Sequence, residues 1–182
     1  MKKLLALLII SFTGFKAQIY TAKDGATNIS FFSKAPLEDI EATNKGATIV
    51  FKSTTGDIQV RISTQNFRFK NKLMEEHFNE NYMESDKFPN AEFKGKINES
   101  IDYSKEGEQK VTVSGKLDMH GVTKPVTLSG TITKEGNDYK MQCKTVIHVA
   151  DYNIKVPSMY VKNIAENVDV NFETTLAPFQ KK

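Results

Sequence analysis

The chain is short of several residues that would narrow its chemistry. Cysteine occurs once, at Cys143, so no intramolecular disulfide can form and stability must come from a hydrophobic core. Tryptophan is absent, and the three histidines, His77, His120 and His148, are scattered along the sequence. No C-x-x-C, H-E-x-x-H, G-x-S-x-G or glycine-rich phosphate loop is present. That removes the common zinc, serine-hydrolase and nucleotide-binding signatures. Long apolar runs are missing too, apart from Leu4–Phe12, which is too short to cross a bilayer as a helix.

That one run carries the compartment. Lys2 and Lys3 precede it, and Thr13, Gly14 and Ala17 follow, the pattern of a secretory signal peptide cut after Ala17. Removing residues 1–17 from 182 leaves 165, the size of one domain spanning 18–182. The excess of 25 basic over 22 acidic residues disappears with Lys2, Lys3 and Lys16. No nucleic-acid footprint and no stable membrane insertion are expected of the mature chain, and its oligomeric state is open.

What the sequence has in quantity is period-two alternation. Val111, Val113, Gly115, Leu117 and Met119 alternate with Thr112, Ser114, Lys116 and Asp118. Val126, Leu128, Gly130 and Ile132 repeat the pattern, as do Tyr139, Met141, Cys143, Thr145, Ile147 and Val149. Val168, Val170, Phe172, Thr174 and Leu176 form the last such series. Ile29, Phe31 and Ser33 open the first half, followed by Ala47, Ile49 and Phe51. A Thr54-Thr55-Gly56 turn leads to Ile58, Val60 and Ile62, and then come Ala91, Phe93, Gly95 and Ile97. These are about eight antiparallel strands, each with one apolar and one polar face, which predicts an all-β barrel or sandwich. The exception is Asn71–Met83, where Met74, Phe78 and Tyr82 recur at helical spacing and predict one short helix at an end. Val156–Asn167 reads as a long loop.

The run Gly115-Lys116-Leu117-Asp118-Met119-His120-Gly121-Val122-Thr123-Lys124-Pro125-Val126 resembles the G-x-L-x-x-x-G-x-T-[KR]-P-V signature of the YceI-like, polyisoprenoid-binding family. Leu73–Gly95 is similar to that family's helix and F…P-x-x-x-F segment, and Asn28-Ile29-Ser30-Phe31 to its first strand. One departure is Phe69-Lys70-Asn71-Lys72-Leu73, where many members carry an Arg-Asp-x-His-like run. The resemblance implies an elongated, eight-stranded, lipocalin-like antiparallel barrel. It also implies a secreted, periplasmic protein that holds a long-chain isoprenoid or similar amphiphilic lipid, without catalysis or a metal. An isoprenoid quinone as the ligand, or a solid barrel serving as an interaction module, are the alternatives.

The inward phase mixes bulky and small side chains, so composition leaves two outcomes open. The small ones either leave a channel or interleave with the aromatics. On the first outcome the ligand is lined by Phe31, Ile49, Phe51, Val60, Ile62, Phe67, Phe78, Tyr82, Phe93, Gly115, Leu117, Met119, Leu128, Met141 and Phe172. Cys143 shares that phase and reads as a buried, inert thiol. His77 is expected on a solvated helix face, and His148 and His120 on outward strand phases, with His120 in a turn closed by Gly121. Pro125, which lacks an N–H, is expected at the start of the following strand.

Overall fold

The computed structural model describes residues 18–34, 39–155 and 167–180. The proposed signal peptide and nearly all of the 156–167 loop lie outside the described residues. Asn167 itself begins a strand.

Eleven strand segments form one sheet: β1 (Ile19–Ala22), β2 (Asn28–Ser33), β3 (Ile40–Asn44), β4 (Ala47–Lys52), β5 (Asp57–Ser63), β6 (Arg68–Phe69), β7 (Asn90–Ile97), β8 (Gly107–Met119), β9 (Val122–Glu135), β10 (Asp138–His148) and β11 (Asn167–Pro178). Register reduces these to eight strands. Two segments, β1 and β2, pair with successive stretches of β11, at Leu176–Pro178 and Asp169–Glu173. Likewise β4 pairs with β1 and β3 with β2, while β5 pairs with β4 and β6 with β3. The segments β1–β2, β3–β4 and β5–β6 are therefore three broken strands. Together with β7 to β11 they close an eight-stranded antiparallel barrel, since β11 bonds back to β1.

A buried polar residue holds each break. Thr27, 3 % exposed, meets the Thr174 hydroxyl at 2.9 Å. Asn44, wholly buried, donates from Nδ2 to the Ser63 carbonyl and accepts from the Gly46 N–H, both at 2.9 Å. Thr64 donates from Oγ1 to the Phe88 carbonyl, and its N–H donates to the Pro89 carbonyl. Interrupting a ladder inside a barrel strands backbone groups, and Asn44 and Thr64 supply replacement partners, while Thr27 ties its break to β11 through the Thr174 hydroxyl. The breaks lie at similar heights, so the first three strands bend together.

The helix α1 (Lys72–His77) follows the third strand and continues as a π-helical turn over Phe78–Tyr82. Asn71 caps it, accepting from the Leu73 N–H at 3.0 Å. Met74, Phe78 and Tyr82 share its partly covered face, while His77 is exposed. Hence α1, the β8–β9 turn and the 149–152 turn gather at one end of the barrel. The turns at 53–56 and 136–137 and the 98–106 connection gather at the other.

Candidate functional site: a barrel packed at one end and open along its inner wall

The end opposite the helix is solid. Phe51, fully buried, sits among Tyr20, Tyr103 and Tyr139, with ring centroids 6.1, 5.8 and 5.8 Å away, and Tyr20 meets Tyr139 edge-on at 4.7 Å. The Tyr139 hydroxyl donates to the Tyr103 carbonyl at 2.7 Å. Burial pushes the Tyr139 phenol well above its ordinary range, with neighbouring Tyr20 adding to the shift. Ile49, Val60, Phe93 and Met141 belong to the same buried core. Five of the fifteen residues expected along a channel are thus packing residues at this level.

Gly115 requires a correction. It stands opposite Gly95 across β7 and β8, and the Phe93 ring lies over both. A Cβ on Gly115 would fall 2.4 Å from the Lys94 carbonyl oxygen and 2.8 Å from Phe93 Cζ. The missing side chain therefore allows close strand approach under an aromatic ring, and no free space borders it.

Toward the helical end the inner wall opens. In β8 the inward residues pass from buried Val111 to half-covered Val113, Leu117 and Met119. The same transition runs from Ile132 to Leu128, Val126 and Val122 in β9, and from Met141 to Thr145 and Ile147 in β10. In β11 it runs from Leu176 to Phe172, Val170 and Val168. Each neighbouring outward residue between Ser114 and Lys144 on these strands is exposed or half-exposed, so the alternation itself is intact. Four adjacent strands lose inner cover at the same height, which places solvent-accessible apolar surface inside the barrel.

Aromatic side chains cap this space at the helical end. Phe78 stacks on Phe31 at 5.5 Å and touches Phe67 and Phe69 at 5.6 and 5.1 Å. Met83, Tyr152 and Ile154 form a second buried cluster, against which Phe78, Tyr82, Leu117, Met119 and Ile147 pack. Ile62, Leu117, Leu128 and Phe172 remain partly covered beside the solid core. Of the expected lining set, Phe31, Ile62, Phe67, Phe78, Tyr82, Leu117, Met119, Leu128 and Phe172 therefore come together around the open half.

His120 is not outward-facing. It does occupy the β8–β9 turn, with positive φ at both His120 (53°) and Gly121 (74°), as a tight two-residue hairpin demands. That conformation swings its ring off the polar phase, and His120 is only 9 % exposed. Nδ1 lies 3.0 Å from the Tyr152 carbonyl, Nε2 3.2 Å from Glu84 Oε2, and Phe88 stacks at 4.5 Å. Both ring nitrogens thus sit within hydrogen-bond distance of an oxygen, one backbone and one carboxylate. The Glu84 carboxyl is held below its usual range, chiefly by its hydrogen bond from Lys87 and then by His120. One turn residue thereby ties the β8–β9 hairpin to the segment after the helix and to the 149–152 turn.

Polar groups on the inner phase are few. Lys124 stands opposite Leu117 on that phase, and its ammonium reaches Asp151 at 2.7 Å, which lowers the Asp151 carboxyl. Ser33 is 3 % exposed, and its hydroxyl has no hydrogen-bond partner among the described residues. Burial pushes the Cys143 thiol up, away from the reactive thiolate. His148 bonds Asn167 at 3.0 Å at the strand ends, so the three histidines do not converge. Among the described residues no cluster of three or more metal-ligating side chains occurs, and no helix is long and apolar enough to cross a membrane. Sequence reading missed β1, β3 and β6, and with β1 the core residue Tyr20; Lys124 was visible only as part of the T-K-P signature.

Comparison with known proteins places this architecture. A UPF0312 protein of Pseudomonas fluorescens is 28 % identical over 129 residues, covering 67 % of this chain and 64 % of that protein. A Pseudomonas putida relative is 30 % identical over 49 % of this chain, so the matches span about half to two thirds of these curated relatives. Among solved structures, a polyisoprenoid-binding domain from Saccharophagus degradans superposes with a TM-score of 0.75 at 16 % identity, over 88 % of this chain and 98 % of that one. BcnA of Burkholderia cenocepacia superposes at 0.72 and 19 % identity, over 85 % and 98 %. The YceI-like domain profile matches residues 20–176, nearly the whole barrel, and the chain belongs to that family.

Proposed function

We propose that the protein is an exported binding protein which holds a long-chain isoprenoid, or a similar amphiphilic lipid, in the open half of its barrel. The observation that carries this is the simultaneous loss of inner cover on β8, β9, β10 and β11 at one height. A packed barrel interior should bury its inward Leu, Val and Ile throughout, as the other half of this one does. Exposed apolar wall is costly in water at about 25 cal/mol per Å², and an apolar chain laid against it recovers that cost. An elongated hollow between solid aromatic packing and an aromatic cap suits a flexible chain better than a compact ligand.

The few polar groups fit one polar end. Lys124 and Asp151 meet at the rim, and the unpartnered Ser33 hydroxyl lies on the inner phase two residues beyond Phe31. An anionic or hydroxylated head would find its donors there. The reading is of a carrier, and among the described residues the open half is lined chiefly by apolar side chains. Export rests on the signal-peptide pattern of residues 1–17. The test is to export the protein from its own signal, purify it without detergent, extract it with organic solvent and analyse the extract by mass spectrometry. An isoprenoid or lipid near one per chain is expected. An empty protein that also takes up no added polyprenol overturns the proposal.

A further inference from the structure

The barrel wall has a seam. Over most junctions the ladders run the length of the shorter strand, as in β10–β11, where Tyr139–His148 pairs throughout with Asn167–Leu176. The β9–β10 ladder is different. It runs from Glu135↔Asp138 to Gly130↔Cys143 and stops, although β9 continues back to Val122 and β10 continues on to His148. Lys144–His148 and the facing part of β9 are strand in conformation, yet they are not bonded to one another.

Two residues of β9 mark the two ends of this gap. In a two-residue hairpin the flanking pair, here Met119–Val122, exchanges the hydrogen bonds, and successive residues then alternate. Lys116↔Pro125 is consequently a pair that does not bond, so the Pro125 nitrogen faces β10. It has no N–H to offer. On the continued register Pro125 would face His148, so it denies a donor to the far end of the gap; it is the fourth residue of β9, which corrects the expectation that it would begin a strand. The second residue is Gly130. A Cβ there would lie 2.2 Å from the Gln142 carbonyl, so the missing side chain lets β9 and β10 approach closely at the last paired row. A depression of about 580 Å³ lies on the outer wall at this row, lined by Val111, Gly130 and Cys143 among others.

The seam runs for five residues of β10, roughly 17 Å. Its inner margins are Val126 and Leu128 on one side and Thr145 and Ile147 on the other, all partly solvent-accessible. Among the described residues apolar side chains pack across both ends of the barrel, Tyr20, Phe51, Tyr103 and Tyr139 at one and Phe78 with the Met83–Tyr152–Ile154 cluster that His120 secures at the other. The break in the side wall coincides with the height at which the inner wall becomes accessible.

We propose that the β9–β10 seam is a lateral portal through which the apolar chain of the ligand enters and leaves. The proposal rests on the lipid-binding reading above. An unpaired strand edge can also receive an extra peptide strand, but Pro125 removes a donor from this edge, and apolar side chains line its inner margin. A lateral opening lets a chain slide in along its length, with no need to displace the aromatic cap.

The test closes the seam reversibly. In a Cys143→Ser background, cysteines are introduced at Thr127 and Val146, outward residues that would face one another if the ladder continued, and are bridged with a short, reducible bismaleimide. The control pair, Val146 and Asp169, lies across the fully bonded β10–β11 ladder. Uptake of a fluorescent NBD-geranylgeraniol is followed by stopped flow. Bridging the seam is expected to slow uptake and release at least ten-fold, reduction to restore both, and the control bridge to change neither by more than two-fold. Uptake that is equally fast with the seam bridged overturns the portal while leaving the binding reading intact. Failure of the unbridged protein to take up the probe overturns both.

Discussion

Replacing Gly115 with alanine discriminates between an empty channel and a packed glycine. The added methyl would lie 2.4 Å from the Lys94 carbonyl oxygen and 2.6 Å from Gly95 Cα, where ordinary contact begins at 3.4 Å. Relief needs a shift of about 1 Å in backbone that is held in the β7–β8 ladder, because a backbone carbonyl cannot rotate aside like a side chain. Overpacking of this kind costs about 1–3 kcal/mol. Loss or stretching of a ladder hydrogen bond adds about 1 kcal/mol, and the stiffer unfolded chain returns somewhat less than 1. The net expectation is a destabilisation of about 2 kcal/mol, or a fall in Tm of about 4–8 °C for a domain of this size. Gly46→Ala is the matched control. Its Cβ would meet nothing closer than 3.5 Å, so it should be neutral or slightly stabilising. Urea melts followed by far-UV circular dichroism measure both, since the chain has no tryptophan to report. If Gly115→Ala unfolds within about 0.5 kcal/mol of wild type, the glycine borders free space and its reading as a close strand contact under Phe93 is wrong.

Two further perturbations probe the scaffold. Asn44→Ala removes a wholly buried side chain and the partner of the Ser63 carbonyl and Gly46 N–H at a strand break, and should cost about 1–3 kcal/mol by urea melt; a change under about 0.5 would show that the break holds itself. The Tyr139 phenol resists ionisation in the fold, so the unfolded chain releases that proton first. Stability is therefore full below pH 10 and declines as pH rises beyond it. Tyr139→Phe should lose about 1 kcal/mol at pH 7 with its hydrogen bond to Tyr103, and should show a shallower alkaline decline in melts between pH 9 and 11. An unchanged alkaline slope would place the titrating group elsewhere.

Most of the barrel was legible because period-two alternation is written directly into strands with one wet face. The long strands β8 to β11 could be read nearly residue by residue. The three breaks could not. β1, β3 and β6 are short, and Thr27, Asn44 and Thr64 look like surface residues until their partners 19 or more positions away are known. His120 shows the limit of phase counting: alternation presumes extended backbone, and two consecutive positive φ values invalidate it within one residue. The lining set split for a similar reason. Sequence assigns a residue to the inner face but not to a height along the barrel, and height is what separates buried Phe51 from half-covered Leu128. The seam was written as Pro125 and Gly130, yet only the register shows which neighbour the proline nitrogen faces.

The absence of tryptophan makes the central claim directly measurable. Leu128→Trp places a single fluorophore on the half-covered wall, and Tyr103→Trp places one at the solid end. Each variant is titrated with a brominated geranylgeraniol, which quenches indole only on contact. The account predicts saturable quenching at one ligand per chain for Leu128→Trp and none for Tyr103→Trp. Equal quenching of the two, or quenching of Tyr103→Trp alone, would contradict a barrel that is packed at one end and occupied by lipid at the other.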